Sequence, residues 1–246
     1  MKSNLQLHTE AVRLRRDNGY GSTEPIDVVG LLLAQEKYTL IKLPMSDNIS
    51  GMCVVDGASK IIAVNSNMSL GRQRFTVAHE LYHLEIEHVG NGVICKQDGK
   101  TDSEREADQF ASCFLMPYEA LDLFVQKYHV KEWTLDVLVR LSQFFRMSFQ
   151  AILYRLHQER QINDIQYYEW MKQNVLALVR DMAVDETLYM KSLPEDAERS
   201  YGQYGRLLKK AKKEEAVSDS LYRQFAIEGF CDEEYQRWTE EELVYD

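Results

Sequence analysis

The segment His79-Glu80-Leu81-Tyr82-His83 sets two imidazoles four residues apart, with a carboxylate beside the first. On a helix, side chains four apart stand on one face, so both rings can aim at a single point. Two neutral ring nitrogens, each about 2.0–2.1 Å from the ion, suit Zn²⁺. Such an ion acidifies water, and the adjacent Glu80 is placed to accept the water's proton and pass it to a departing amine, which is hydrolytic chemistry. The five-residue motif arises by chance often enough that its setting must decide. The flanking positions Phe75, Val77, Ala78, Leu81 and Leu84 are apolar. That pattern predicts a buried helix, and burying two histidines and a glutamate without a ligand is costly.

A catalytic metal site keeps one position open and takes its third protein ligand from elsewhere in the chain. The stretch "TDSEREADQFASCFLMP" (101–117) offers Glu104 and Glu106 at the start of a second helix. Glu104 and Asp108 share a face, whereas Glu106 points about 200° away from Glu104, so both glutamates can hardly reach one ion. Glu104 is therefore the expected ligand, and Asp108 the group that receives the free N–H of a ligating histidine. Thr101-x-x-Glu104 and Ser103-x-x-Glu106 also match capping boxes, which would account for the same acids without a metal.

Several elements must carry these groups. Ser69 is available to cap a helix from Leu70 to about His88, and a second helix should begin near Thr101 to Ser103 and end before Pro117, which forces Met116 out of helical geometry. The glycine-containing "VGNGVICKQDGK" (89–100) between them reads as loop or short turn. Upstream, Leu7, Ala11 and Leu14 predict a helix over 7–17. "STEPIDVVGLLLAQEK" predicts another, with Ser22 and Thr23 at its start and Pro25 in its first turn. "YTLIKL" (38–43), "GMCVVD" (51–56) and "KIIAVN" (60–65) read as short strands, the last two joined as a hairpin through Asp56-Gly57-Ala58-Ser59. Beyond Pro117 the apolar spacing is helical throughout, with a break at Leu193-Pro194.

Composition narrows the function. The chain has 246 residues, 45% of them hydrophobic, and a formal charge of −10. That charge works against unassisted nucleic-acid binding. The basic "RLLKKAKK" (206–213) runs straight into two glutamates and reads as a solvated helix face. No apolar run has the length of a membrane span, and the start lacks the apolar centre of a secretory signal, so a cytoplasmic location is expected. Cys53, Cys95, Cys113 and Cys231 form no C-x-x-C pair and read as reduced thiols.

"RFTVAHELYHLEIEH" followed by "EREADQFASCFLMP" resembles the ImmA/IrrE family of zinc metallopeptidases. Its pattern is an R-F-T-x-A-H-E-x-x-H helix, then a helix reading E-x-E-A-(N/D)-x-F-A with a leucine/methionine-proline end. "PIDVVGLLL", "ISGM" and "IIAVN" extend the likeness over roughly residues 5–160. The resemblance implies an α+β fold: a mainly helical, zincin-like core of the gluzincin type with a small β-sheet, followed by a helical C-terminal region. It implies Zn²⁺ as cofactor, held by His79, His83 and Glu104, with Glu80 as catalytic base. Tyr82 departs from the pattern, standing where glycine is usual, and its phenol is expected near the site. Family members are often encoded beside a helix-turn-helix repressor or antitoxin and cleave it, so such a protein is the implied substrate and partner.

Three segments are expected: a metallopeptidase core (1–128), a helix-turn-helix-like segment (129–160) and a helical tail (161–246) that is a candidate docking region. Within the second, Gln150, Arg155 and His157 are too few polar groups to read a DNA groove, and Leu153, Tyr154 and Leu156 suit packing or protein contact. His129 and His157 have no partner at ligand spacing. "KIIAVN" as an edge strand would pair with an extended substrate, although such a strand can equally be structural. The tail's aromatics read as core, and its acidic end, "DEEYQRWTEEELVYD", as solvated and partly disordered. Two rival functions share these features: a metal-bound module that sequesters a regulator, and a regulator touching DNA through residues 134–158.

Overall fold

The computed structural model describes residues 1–88 and 101–231, and the backbone course of 93–96. The acidic end (232–246), with Tyr235 and Trp238, and the remainder of 89–100 lie outside the described residues. The chain begins with α1 (Asn4–Asp17), whose cap is a reciprocal pair between Ser3 and Gln6. Its Leu7 and Ala11 are buried, and so is Arg15, whose guanidinium donates to the carbonyls of Gly21, Glu24 and Phe114. Those carbonyls are thereby committed to a side chain, and the segment holding Pro25 stays irregular. The second helix, α2 (Val28–Ala34), accordingly starts at an Asp27 cap, later than the Ser22–Pro25 signals place it.

The strands are β1 (Tyr38–Leu43), β2 (Ile49–Asp56), β3 (Ser59–Asn65), β4 (Val93–Lys96) and β5 (Arg199–Gly202), in the order β4-β2-β3-β1-β5. β2 and β3 form the expected hairpin, with Asp56 opposite Ser59 and Gly57 at φ +56°, a turn conformation that glycine adopts without a Cβ penalty. β1 runs parallel to β3 with Thr39 opposite Ile61, while β4 and β5 are antiparallel to β2 and β1. Two expectations change here. "KIIAVN" is the central strand, its Ile62 and Val64 buried and both of its edges paired, so it offers no edge to a substrate. The stretch expected as loop contains β4, which takes the outer position beside β2.

Two long helices follow, and the first lies on this sheet. α3 (Leu70–Tyr82) is capped by Ser69, as its spacing predicts, and packs on β2 and β3. The α-helix is shorter than the expected 70–88: a π-helical turn covers His83–Glu87, and His88 closes it in the left-handed region at φ 57°. α4 (Asp102–Leu115) starts at a Thr101 cap, ends ahead of Pro117 and packs on α1 and α3. Glu104, Ala107 and Ala111 follow one face of α4, and both alanines are fully buried.

Then come α5 (Tyr118–Lys127), α6 (Leu135–Phe145) and α7 (Phe149–Gln158). The last two have the helix-turn-helix order, but their Leu138, Leu141, Phe145, Ile152, Leu153 and Leu156 belong to the same buried cluster as the residues of α3 and α4. Arg155 is 1% exposed, its Nη1 3.1 Å from Cys113 Sγ and its guanidinium over the Tyr118 ring, so it cannot reach a DNA groove. Gly71 explains the contact between α3 and the α6–α7 turn: a Cβ there would lie 2.8 Å from the Ser148 nitrogen.

The rest comprises α8 (Asp164–Trp170), α9 (Val175–Asp181), β5, α10 (Gln203–Lys213) and α11 (Asp219–Glu228). This tail is not wholly helical. It returns to strap the start of α3, where Leu70 N–H donates to Met190 at 2.8 Å and Gln73 Nε2 to Ser192 Oγ at 3.1 Å, and then adds β5 to the sheet. α10 carries the lysines of "RLLKKAKK" outward while Leu208 packs with Tyr222 and Ala226. Among the described residues, no helix is long and apolar enough to cross a membrane.

Candidate metal centre

α3 and the π turn bring His79 and His83 to the surface of α4 that carries Glu104. The two Nε2 atoms are 3.3 Å apart, His79 Nε2 is 3.2 Å from Glu104 Oε2, and His83 Nε2 is 3.7 Å from Glu104 Oε1. Ligands about 2.0–2.1 Å from a tetrahedral ion sit about 3.3 Å from one another, so these separations fit a single ion. The three form a metal-capable group within 4.8 Å of one another. His79 is 7% exposed and His83 1%, so little water competes for the ring nitrogens.

The outward nitrogens are fixed as well. His79 Nδ1 lies 2.9 Å from Asp108 Oδ1 and His83 Nδ1 2.6 Å from Glu87 Oε2, while Ser103 Oγ donates to the other oxygen of Glu87 at 2.8 Å. A carboxylate accepting Nδ1–H selects the tautomer that leaves Nε2 as the ligand atom and raises its basicity. Burial alone would discharge the His79 ring, but hydrogen bonds to Asp108 and Glu104 outweigh it and push the imidazolium up to about 10 when no ion is bound.

Glu87 was not among the sequence candidates. Its signal was present in the four-residue step from His83, the same step that picked out Asp108 from Glu104. A π turn at this point rather than an α turn sets the course of the chain after His83. Glu85 anchors it, its carboxylate accepting from Lys60 at 2.7 Å, Lys37 at 2.9 Å and the Tyr38 hydroxyl. Burial raises the Glu85 carboxyl, yet Lys60, Tyr38 and Lys37 hold it below the usual range. Replacing Glu87 with alanine should weaken metal affinity about 10–100-fold with secondary structure intact, as metal titration and circular dichroism would show. Unchanged affinity would remove Glu87 from the centre.

Glu80 is fully buried on the sheet side of α3. A Cβ at Gly51 would lie 2.5 Å from Thr76 Cγ2, 2.7 Å from the Ala63 carbonyl and 3.2 Å from Glu80 Oε1. β2 can therefore approach the base only because residue 51 has no side chain. Gly51→Ala should cost about 1–3 kcal/mol in a denaturation midpoint and displace Glu80. A variant as stable and as active as the parent would show that this approach is not needed.

Glu106 of α4 is turned toward Tyr82, the last residue of α3. The Tyr82 hydroxyl donates to Glu106, which also accepts from the Lys2 backbone N–H. The Tyr82 ring is 2% exposed, packs on Phe110 at 5.6 Å and meets the His83 ring edge-on at 5.6 Å. The phenol is thus part of the core behind His83, and its hydroxyl points to Glu106. His88 is exposed and ends the helix. His157 pairs with Asp164 at 2.7 Å.

The family model for the IrrE N-terminal-like domain, a peptidase family, matches residues 35–157. The chain belongs to this family. The IrrE N-terminal-like match runs from the residues just before β1 through α7, and so takes in α3, α4 and every residue of the centre. None of the curated proteins matches the chain. Among solved structures, a Mycobacterium tuberculosis transcriptional regulator is similar at 15% identity and a TM-score of 0.42, covering 62% of this chain and 46% of that one. The chain thus spans about half the length of that neighbour.

Proposed function

We propose that the chain is a zinc-dependent endopeptidase that cleaves a helix-turn-helix repressor or antitoxin and so relieves repression. The observation that carries the catalytic part is the convergence of two Nε2 atoms and one carboxylate, with Glu80 next to His79 in the same helix. Zn²⁺ held by His79, His83 and Glu104 would supply Lewis acidity. The protein's own work is proton handling and orientation. Glu80 takes a proton from the attacking water and returns it to the leaving amine nitrogen, so that the amine departs neutral. Asp108 and Glu87 keep both imidazoles in one tautomer through the cycle.

Charge supports the partner. DNA-binding regulators are basic because they neutralise phosphates, and a chain of formal charge −10 suits association with such a surface. Action on a regulator of this kind requires a cytoplasmic location. β4 ends the sheet beside β2, and in this reading an extended substrate pairs with its outer edge.

The test is incubation of the zinc-loaded protein with the regulator encoded beside it. Discrete fragments with the wild type are expected, and intact regulator at full metal loading would overturn the reading. A Glu80→Gln variant that still relieves repression in cells would point to sequestration.

A further inference from the structure

A cavity of about 410 Å³ lies between α2, α3 and the sheet. Leu33 of α2, Leu40 of β1, Val64 of β3, and Leu70 and Val77 of α3 give it an apolar wall. Close-packed interiors leave few voids larger than a water molecule, whereas sites for small ligands run from about 300 to 1,000 Å³. This cavity has the size of such a site. α2 is tethered at both ends: ahead of it Arg74 of α3 donates to the Ile26 carbonyl at 3.0 Å, and behind it Arg206 of α10 donates to the carbonyls of Leu33 and Gln35 at 3.3 and 3.0 Å.

The polar groups in the wall define what fits there. Gln73 is committed, its amide nitrogen donating to the Met68 carbonyl at 2.8 Å and to Ser192 Oγ at 3.1 Å. Lys42 Nζ donates at 2.6 Å to Asp196, which lies outside the wall. Arg74 gives Nη1 to Asp27 at 3.1 Å and Nη2 to Ile26, but its Nε is buried without an acceptor. A buried N–H left unpaired is costly, and a guanidinium bonds most strongly to a carboxylate. Lys42 and Arg74 bring two positive charges to the wall, and the Asp27 side chain, 53% exposed, is screened by water.

We infer that this cavity binds a small amphipathic carboxylate, its apolar body against Leu40, Val64 and Val77 and its head group on Arg74 and Lys42. The site is separate from the metal centre. Val77 and His79, two residues apart, point about 200° from each other around α3, and His79 faces Glu104 of α4. A ligand in the cavity therefore packs on the helix that carries both imidazoles, from its other flank. The claim concerns binding and holds whether or not the chain hydrolyses peptides.

Calorimetric titration of the zinc-loaded chain with octanoate, below its aggregation concentration, tests the site. One octanoate per chain is expected, with octanol, which keeps the tail, and acetate, which keeps the head, each at least about tenfold weaker. Val77→Phe fills the cavity and should abolish binding. Lys42→Met, which leaves the α2 tethers in place should the first variant misfold, should weaken it about tenfold. Glu104→Ala, which removes a ligand of the metal, should bind octanoate as the parent does. Uptake lost in Glu104→Ala would put the carboxylate on the metal and overturn the proposal. So would no saturable uptake, octanol binding as tightly as octanoate, or affinity unchanged in both cavity variants. A parent indifferent to octanoate, whose Val77→Phe variant loses its hold on the regulator encoded beside it, would give the cavity to a side chain of that partner and overturn the proposal too.

Discussion

Glu80→Gln should reduce peptide-bond hydrolysis by at least about 10²–10⁴-fold while leaving the metal in place. The substitution keeps the shape of a fully buried side chain and exchanges one oxygen for an amide nitrogen, which cannot take up a proton. β2 passes close to this carboxylate at Gly51, where an added Cβ would lie 3.2 Å from Glu80 Oε1. Since Glu80 is not among the converging atoms, its loss should not alter metal stoichiometry. Rates measured at matched metal loading check this. A variant within threefold of the parent would mean that another group carries the proton.

Glu104→Ala should have the largest effect on the metal. It removes both oxygens that face the histidine nitrogens, and apparent affinity should fall by more than the about 10–100-fold expected for an outer partner such as Glu87. Excess metal should then stabilise the wild type by about 2.7 kcal/mol at one hundred times its dissociation constant, and the variant hardly at all. The pH dependence has a definite sign. Without an ion, the His79 pKa is raised from 6.5 to about 10, so the imidazolium–carboxylate contribution to stability is complete below about 6.5 and is lost as pH rises through about 10. A ligand must be deprotonated, so metal uptake at neutral pH should release a proton and should weaken as pH falls. Calorimetry in buffers of different ionisation enthalpy reads that proton directly. Uptake that is independent of pH would contradict the assignment of His79.

The centre was largely legible in the sequence because its geometry is local. His79, Glu80 and His83 lie within one helix, and Glu104 and Asp108 within the next, so helical periodicity alone sorts Glu104 from Glu106. Of the pieces that escaped, one is local and the others depend on contacts between distant segments. Glu87 reaches His83 within a π turn that periodicity does not announce. Gly51 matters only because β2 passes over Glu80. Pro25 looked like a helix start, but Arg15 claims the carbonyls around it. β3 resembled an edge strand until β1, and then β5 from residues 199–202, closed over its far side. The Tyr82 ring does lie against His83, and its hydroxyl is turned to Glu106 by a contact that the sequence does not announce.

The most direct test of the account is element-specific analysis combined with X-ray absorption on the wild type, purified without chelator or added metal. The expected result is one zinc per chain, surrounded only by nitrogen and oxygen at about 2.0–2.2 Å, with two imidazoles among the ligands. Protein free of tightly held metal, or a sulfur neighbour at about 2.3 Å, would contradict it.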